Sequence, residues 1–257
     1  MMQREGRYIY CIVGTSQERN FGPLGMGGRG DDVITIGYND LSMVVGSHPI
    51  TKFKVNSDNM LCHEKVIETV MKEFDSVLPV RFGTIASDAD EIRNLLGRRY
   101  RELKNALRDA DHKVELGVKG LWKNMEAIFK EIVDENKSIQ KTKENIQIDK
   151  NKKNIQAKME VGKMVEKALA KKKEKEAEEI VEALRRTSFD YRLNKTVGDE
   201  MFVNAAFLVD KGREKEFDNI MDDLGDEYKK RAKFIYTGPL PVFNFVNIVI
   251  YPEEWEK

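Results

Sequence analysis

Apolar and polar positions along the chain follow two rhythms, and the switches between them outline its elements. Tyr8 to Val13 is an unbroken apolar run, Tyr-Ile-Tyr-Cys-Ile-Val, the pattern of a buried strand. Val33–Ile36 and Leu41–Val45 predict two more strands, and Gly37-Tyr38-Asn39-Asp40 between them predicts a hairpin. From Asp58 the spacing becomes helical: Val66, Ile67, Val70, Met71 and Phe74 share one face and leave Glu64, Lys65, Glu68, Lys72 and Glu73 to water. Leu78-Pro79-Val80-Arg81-Phe82-Gly83-Thr84 stops that helix. Pro79 has a fixed φ and no N–H to donate. The stretch therefore predicts a short edge strand, with Val80 and Phe82 turned into the sheet and Gly83-Thr84 turning into the next helix. An unpaired buried charge is very costly, so Arg81 is expected to be half exposed or to pair with a carboxylate, Glu115 being one candidate. Ser87-x-x-Asp90 resembles a capping box, and Ile92, Leu95, Leu96, Leu103 and Leu107 give the helix behind it a continuous apolar face. Val114, Leu116 and Val118 then alternate with Lys113, Glu115, Gly117 and Lys119, as in a strand with one solvated face. This order of strands and helices predicts an α+β sandwich of roughly ferredoxin-like type over residues 1–122, rather than a doubly wound sheet.

Beyond Lys123 the pattern thins. Met125, Ile132, Ile139 and Ile146 stand seven apart, but Glu135, Thr142 and Asp149 leave the companion seam polar. Asn136–Lys158 reads as a solvated helix or a mobile linker; Val161, Met164, Val165, Ala168 and Leu169, then Ile180, Val181 and Leu184, resume an amphipathic face. Residues 123–186 are thus expected to form a charged helical extension, two antiparallel helices joined by a mobile tip. Met201–Val209 is apolar on both alternations except at Asn204, which predicts a central strand covered on both faces. Phe217, Ile220, Met221, Leu224 and Tyr228 follow at helical spacing, and Phe234-Ile235-Tyr236 predicts a strand ending at Gly238-Pro239-Leu240-Pro241. Val242–Tyr251 is too apolar to hang free and is expected to complete the second sheet or to offer a sticky surface. Residues 187–257 then make a second α+β domain with an apolar tail.

Composition narrows the function more by exclusion than by indication. The 257 residues carry 44 Lys and Arg against 44 Asp and Glu, a balance that disfavours nucleic acid as the main partner. No apolar run approaches the ~20 residues that span a bilayer, and the first residues lack the apolar core of a signal peptide, so a cytoplasmic, reduced protein is expected. Gly25-x-Gly27-x-x-Gly30 has dinucleotide-binding spacing, but Asp31-Asp32 and a strand follow it where a phosphate-binding helix is required; a floppy surface loop is expected there. His48, His63 and His112 are scattered, and Cys62-His63 has no second Cys/His pair to make a zinc site. No nucleophile with a positioned base is visible either, so neither an enzyme nor a cofactor is expected.

Several stretches carry a resemblance. Leu78-Pro79-Val80-Arg81-Phe82-Gly83-Thr84 after His63-Glu64-x-Val66, Val114-Glu115-Leu116-Gly117-Val118-Lys119 ending in Trp122, Asn204–Val209, and Thr237-Gly238-Pro239-Leu240-Pro241-Val242-Phe243-Asn244-Phe245-Val246 together resemble the GvpL/GvpF gas vesicle proteins. The match runs in order over most of the chain. Leu240, Val242 and Phe243 stand where the family usually carries Trp, Pro and often Tyr. The resemblance implies an accessory protein of gas vesicle formation, located in the cytoplasm or at the gas vesicle, with a C-terminal ferredoxin-like domain and its helical extension. It implies binding of the small hydrophobic shell-forming protein and of other accessory gas vesicle proteins, without catalysis or cofactor. It singles out Pro79, Arg81, Phe82, Gly83, Glu115, Trp122, Gly238, Pro239, Pro241, Phe243 and Phe245 as structural or partner-binding residues. The competing expectation is a generic adaptor acting through the charged helices.

Overall fold

A computed structural model describes residues 4–28, 30–50, 55–148 and 154–250. In the first half, β1 (Glu5–Val13), β2 (Val33–Tyr38) and β3 (Leu41–Pro49) form an antiparallel core. The β2–β3 turn places Asn39 at φ 56°, a conformation that Asn tolerates better than most residues. After helix α1 (Ser57–Met71) come two short strands, β4 (Val77–Pro79) and β5 (Ile85–Ala86), which both pair with β1. The sheet order is β2-β3-β1-β4, with β5 beside β1. Tyr8 to Val13 are all fully buried, so both faces of β1 are covered, which is why its sequence is apolar without alternation. On one face Tyr8, Tyr10, Cys11 and Val13 meet Val66, Ile67 and Val70 of α1.

Helix α2 (Ala89–Arg98) packs against β2 and β3, and α3 (Tyr100–Asp109) follows at once. The apolar face read as continuous is therefore split at Arg99. The cap also moves by one residue: Asp88 accepts from the N–H groups of Asp90 and Glu91, and Glu91 reaches back to Ser87 N–H at 2.5 Å. A carboxylate at Asp88 satisfies two open backbone donors where the Ser87 hydroxyl would satisfy one.

The strand β6 (Lys113–Trp122) lies inside the second sheet, whose order is β7-β8-β6-β9, with β7 (Ser188–Leu193), β8 (Met201–Asp210) and β9 (Ala232–Leu240). Its Glu115 is buried rather than solvated. On β8, Phe202, Val203, Ala205, Ala206, Phe207 and Val209 are all buried, as expected for a central strand. Helix α7 (Glu214–Glu227) packs Phe217 edge-on against Phe207, with centroids 5.3 Å apart. Gly120 of β6 has no room for a side chain: a Cβ there would stand 2.6 Å from Phe202 Cζ and 2.8 Å from Val203 Cγ1. Gly120→Ala is expected to cost about 1–3 kcal/mol through overpacking; an unshifted denaturation midpoint would show instead that the Phe202 ring gives way.

The charged section forms α4 (Met125–Glu135), α5 (Lys137–Ile148) and α6 (Asn154–Leu184), with α4 and α5 both packed against α6. Ile128, Ile132, Ile139, Leu169 and Ile180 are buried along it. The seam breaks where Asn136 ends α4, its side-chain Nδ2 donating to Ile132 O at 2.7 Å. The part of the expected tip at 149–153, and the side chain of Ile146, lie outside the described residues. Mixed helix and sheet with two antiparallel sheets and a long charged helical hairpin is the α+β class the pattern predicts.

Two compact units result. One holds the described residues up to Glu115, Asp210–Gly212 and the segment from Pro239; the other holds Leu116–Val209 and Arg213–Gly238. Among the described residues, the apolar tail does not complete the second sheet. It packs into the first unit, where Ile248 makes a parallel bridge to Val80 and where Val242, Ile248 and Ile250 are buried.

Candidate docking surface

The Leu78–Thr84 stretch is organised by a buried histidine. Pro79 ends β4 opposite Cys11, and Val80 N–H continues the pairing to Tyr10 O at 3.0 Å. Gly83 follows at φ 86°, where a side chain would be strained. Thr84 Oγ1 closes the turn on Arg81 O at 2.7 Å. Beneath this turn His63 Nε2 lies 3.2 Å from Val80 O, and His63 Nδ1 lies 2.9 Å from the Tyr8 hydroxyl. A carbonyl can only accept, so Nε2 carries the proton and Nδ1 accepts from Tyr8 O–H. Tyr8 Oη in turn accepts from Gly83 N–H at 3.1 Å. Burial pushes the His63 pKa down to about 4, against a smaller opposing pull from Val80 O, so the ring is neutral at pH 7. Phe82 sits 5.7 Å from the imidazole edge-on, and Phe243 lies 6.5 Å away on the tail.

Arg81 stands in the same turn. It is exposed and makes no ion pair or side-chain hydrogen bond among the described residues. The expected pairing with Glu115 is not formed. The Glu115 carboxylate accepts from Asn244 N–H at 2.7 Å and Asn244 Nδ2 at 2.6 Å, and burial raises its pKa against those two bonds. The tail's amide groups therefore satisfy this carboxylate, and no cation is needed. Between α1, the 79–82 turn and the tail lies an open apolar groove of about 400 Å³ lined by Met60, His63, Val80, Phe82, Phe243 and Ile248. Arg81 and Glu64 lie at the same groove. Met60 is 50% and Phe243 39% exposed, so the groove presents apolar side chains to water.

Of the residues singled out from sequence, Pro79, Arg81, Phe82, Gly83, Glu115, Pro239, Pro241, Phe243 and Phe245 fall in this unit. Pro241 is buried, and its carbonyl accepts from Phe243 N–H at 2.7 Å; Phe245 N–H closes the same turn on Val242 O. Gly238 and Trp122 belong to the other unit, Gly238 exposed on β9 and Trp122 buried. Trp122 stacks on Phe202 at 5.2 Å and donates to Glu176 Oε2 at 2.7 Å. The sequence reading names His63, Tyr8 and Asn244 without giving any of them this role. The signal for His63 was available, since it precedes Val66, Ile67 and Val70 by three, four and seven positions and so shares their buried face.

The other chemical candidates are occupied structurally. Burial raises the Cys62 thiol, only partly offset by Lys65, which disfavours the nucleophilic thiolate. The Gly25–Gly30 loop is not loose throughout: Met26 is buried and its N–H donates to Tyr10 Oη at 3.0 Å. Among the described residues no group of three or more His, Cys, Asp or Glu side chains is placed to hold a metal ion, and no helix is long and apolar enough to cross a membrane.

Comparison with known proteins agrees with this architecture. Gas vesicle protein F1 of Halobacterium salinarum is 25% identical over 252 residues, covering 97% of each chain. Gas vesicle protein F of Streptomyces sp. strain CB03234 is 27% identical over 242 residues, 93% of this chain and 98% of that one. The crystal structure of GvpF from Anabaena sp. PCC7120 superposes with a TM-score of 0.80 at 19% identity, over 96% of this chain and 100% of that one. That of GvpF from Microcystis aeruginosa gives 0.78 at 20% identity, over 95% and 99%. The model of the family described as gas vesicle synthesis protein GvpL/GvpF matches residues 6–247, and the chain belongs to that family.

Proposed function

We propose that this protein is a cytoplasmic accessory factor of gas vesicle formation that binds the small hydrophobic shell-forming protein, and other accessory gas vesicle proteins, during assembly. The observation that carries the reading is the apolar groove beside the 79–82 turn, with Met60 and Phe243 exposed at it and Arg81 unpaired among the described residues. A shell subunit that excludes water must present apolar surface, and before assembly that surface drives aggregation. A folded partner with a partly exposed apolar groove lowers the concentration of bare surface without any chemical step. No catalysis belongs to this reading: both His63 nitrogens are engaged and the Cys62 thiol is disfavoured as a nucleophile.

Co-purification of the shell-forming protein with the tagged chain tests the proposal. Phe243→Asp places a charge in the groove at an exposed position and is expected to lower capture by about tenfold or more, with the far-UV spectrum unchanged. If capture is undiminished in Phe243→Asp but falls on charge reversal along α6, the adaptor reading through the helical section replaces this one.

A further inference from the structure

The groove beside the 79–82 turn offers side chains and spends its backbone elsewhere. Val80 N–H donates to Tyr10 O at 3.0 Å, and Val80 O accepts from His63 Nε2 at 3.2 Å. On the tail side, Phe243 N–H donates to Pro241 O, Phe245 and Val246 N–H both donate to Val242 O, and Asn244 N–H goes to Glu115. On α1, Met60 N–H donates to Asn56 O at 3.1 Å. An extended chain laid here would meet these groups already paired and would bury its own amides unsatisfied, at about 1–3 kcal/mol each. A helix satisfies its backbone internally and presents side chains alone. One wall is itself such a face: Met60, His63 and Glu64 stand at i, i+3 and i+4 on α1.

Two charges narrow the occupant further. Arg81 and Glu64 both line the groove, yet among the described residues neither makes an ion pair or a side-chain hydrogen bond, with the other or elsewhere. Glu64 is half-buried, and burial first and the Glu68 carboxylate second raise its pKa, so a cation brought against it is favoured on both counts. We propose that the groove takes an amphipathic helix of the shell-forming protein, its apolar stripe over Met60, Phe82 and Phe243, with a carboxylate of that helix paired to Arg81 and a lysine or arginine paired to Glu64. The inference rests on the shell-binding reading above and specifies the chemistry of the segment bound. The apolar lining supplies affinity, and the two opposite charges fix which way the helix runs. The tail stays in place as a wall of the groove.

Charge exchange between the two full-length proteins tests this. Arg81→Glu and Glu64→Lys are each expected to lower capture of the shell-forming protein about five- to tenfold, with the urea midpoint unchanged. Replacing one Asp or Glu of the shell-forming protein with Lys is expected to restore capture by Arg81→Glu. Replacing one of its Lys or Arg residues with Glu is expected to restore capture by Glu64→Lys. Restoration also shows that both variants are folded; a loss that no such replacement restores would overturn the pairing. A proline between the two restoring positions breaks a helix and is expected to abolish capture by the parent; undiminished capture would overturn the helix. Capture by Arg81→Glu and Glu64→Lys equal to the parent's, with Phe243→Asp still impaired, would overturn the charge-matched helix while leaving groove binding intact. Absence of capture by the unmodified protein would remove the shell-binding reading, and the helix with it.

Discussion

Replacing Arg231 with methionine is expected to lower the free energy of unfolding by about 3 kcal/mol. Arg231 joins three elements of the second unit. Its Nη1 and Nη2 donate to the two oxygens of Glu131 on α4 at 2.9 and 2.8 Å, and its Nε and Nη2 donate to Glu176 on α6 at 3.1 and 2.7 Å. Glu176 also accepts the Trp122 indole N–H from the end of β6. The two halves of this node are unequal. The side chains of Arg231 and Glu131 are 33% and 35% exposed, so solvent screens that half and it contributes no more than about 1 kcal/mol. Glu176 is 10% exposed, and without the guanidinium its carboxylate keeps only the Trp122 donor, a nearly buried charge left uncompensated. That half sets the size of the effect. Adding Glu176→Gln to Arg231→Met removes the stranded charge and is expected to recover at least half of the loss in urea unfolding. A single-variant loss below about 1 kcal/mol would show that water reaches Glu176 freely.

The same node adds an acid limb to the stability profile. Hydrogen bonds from Arg231, and then from Lys172, hold the Glu131 carboxyl down at about 2 against an ordinary 4.5. A depressed folded-state pKa stabilises above the unfolded value, so this contribution is complete near neutral pH and is lost as pH falls from 4.5 towards 2.

How much of this was legible in the chain follows from what periodicity encodes. The period of two or of 3.6 reports which side of an element is covered, and so β1, α1, β8 and α7 stand where their apolar positions place them. It does not report the partner. The alternation of Val114, Leu116 and Val118 is the same whichever sheet receives β6, and nothing in it marks Glu115 as buried, because the donor that satisfies Glu115 is Asn244, 129 residues away. The tail shows the same limit. Its apolar content required burial somewhere, and two destinations were open; the bridge to Val80 is a long-range pairing that no local pattern carries. Arg81 was readable only as an alternative, half exposed or paired, and Glu115 already has its donors. The groove therefore could not be assembled from sequence, although most of the residues that line it could be named.

His63 makes the groove sensitive to acid in the sense opposite to the two carboxylates beside it, Glu115 and Glu64. Its folded-state pKa of about 4 lies below the ordinary 6.5, because burial disfavours the imidazolium. Between those values the unfolded chain binds a proton that the folded chain refuses, so stability is complete above pH 6.5 and falls as pH drops towards 4. The loss between pH 7 and pH 4 amounts to about 3 kcal/mol from this side chain alone. Protonation at Nδ1 also reverses its hydrogen bond with Tyr8: the hydroxyl oxygen must then accept from Nδ1–H as well as from Gly83 N–H, and its own proton loses its acceptor. Glu115 and Glu64, whose pKa values burial raises, act in the opposite direction, since their folded forms hold protons longer as pH rises. The histidine contribution is isolated by His63→Gln, whose amide can accept from Tyr8 O–H and donate to Val80 O but cannot titrate. Urea unfolding at pH 7 and pH 4 is expected to show a difference smaller by about 3 kcal/mol in His63→Gln than in the parent. Identical differences in the two proteins would mean that the imidazole is hydrated and charged normally, and that the turn owes its conformation to Gly83 and Thr84 instead.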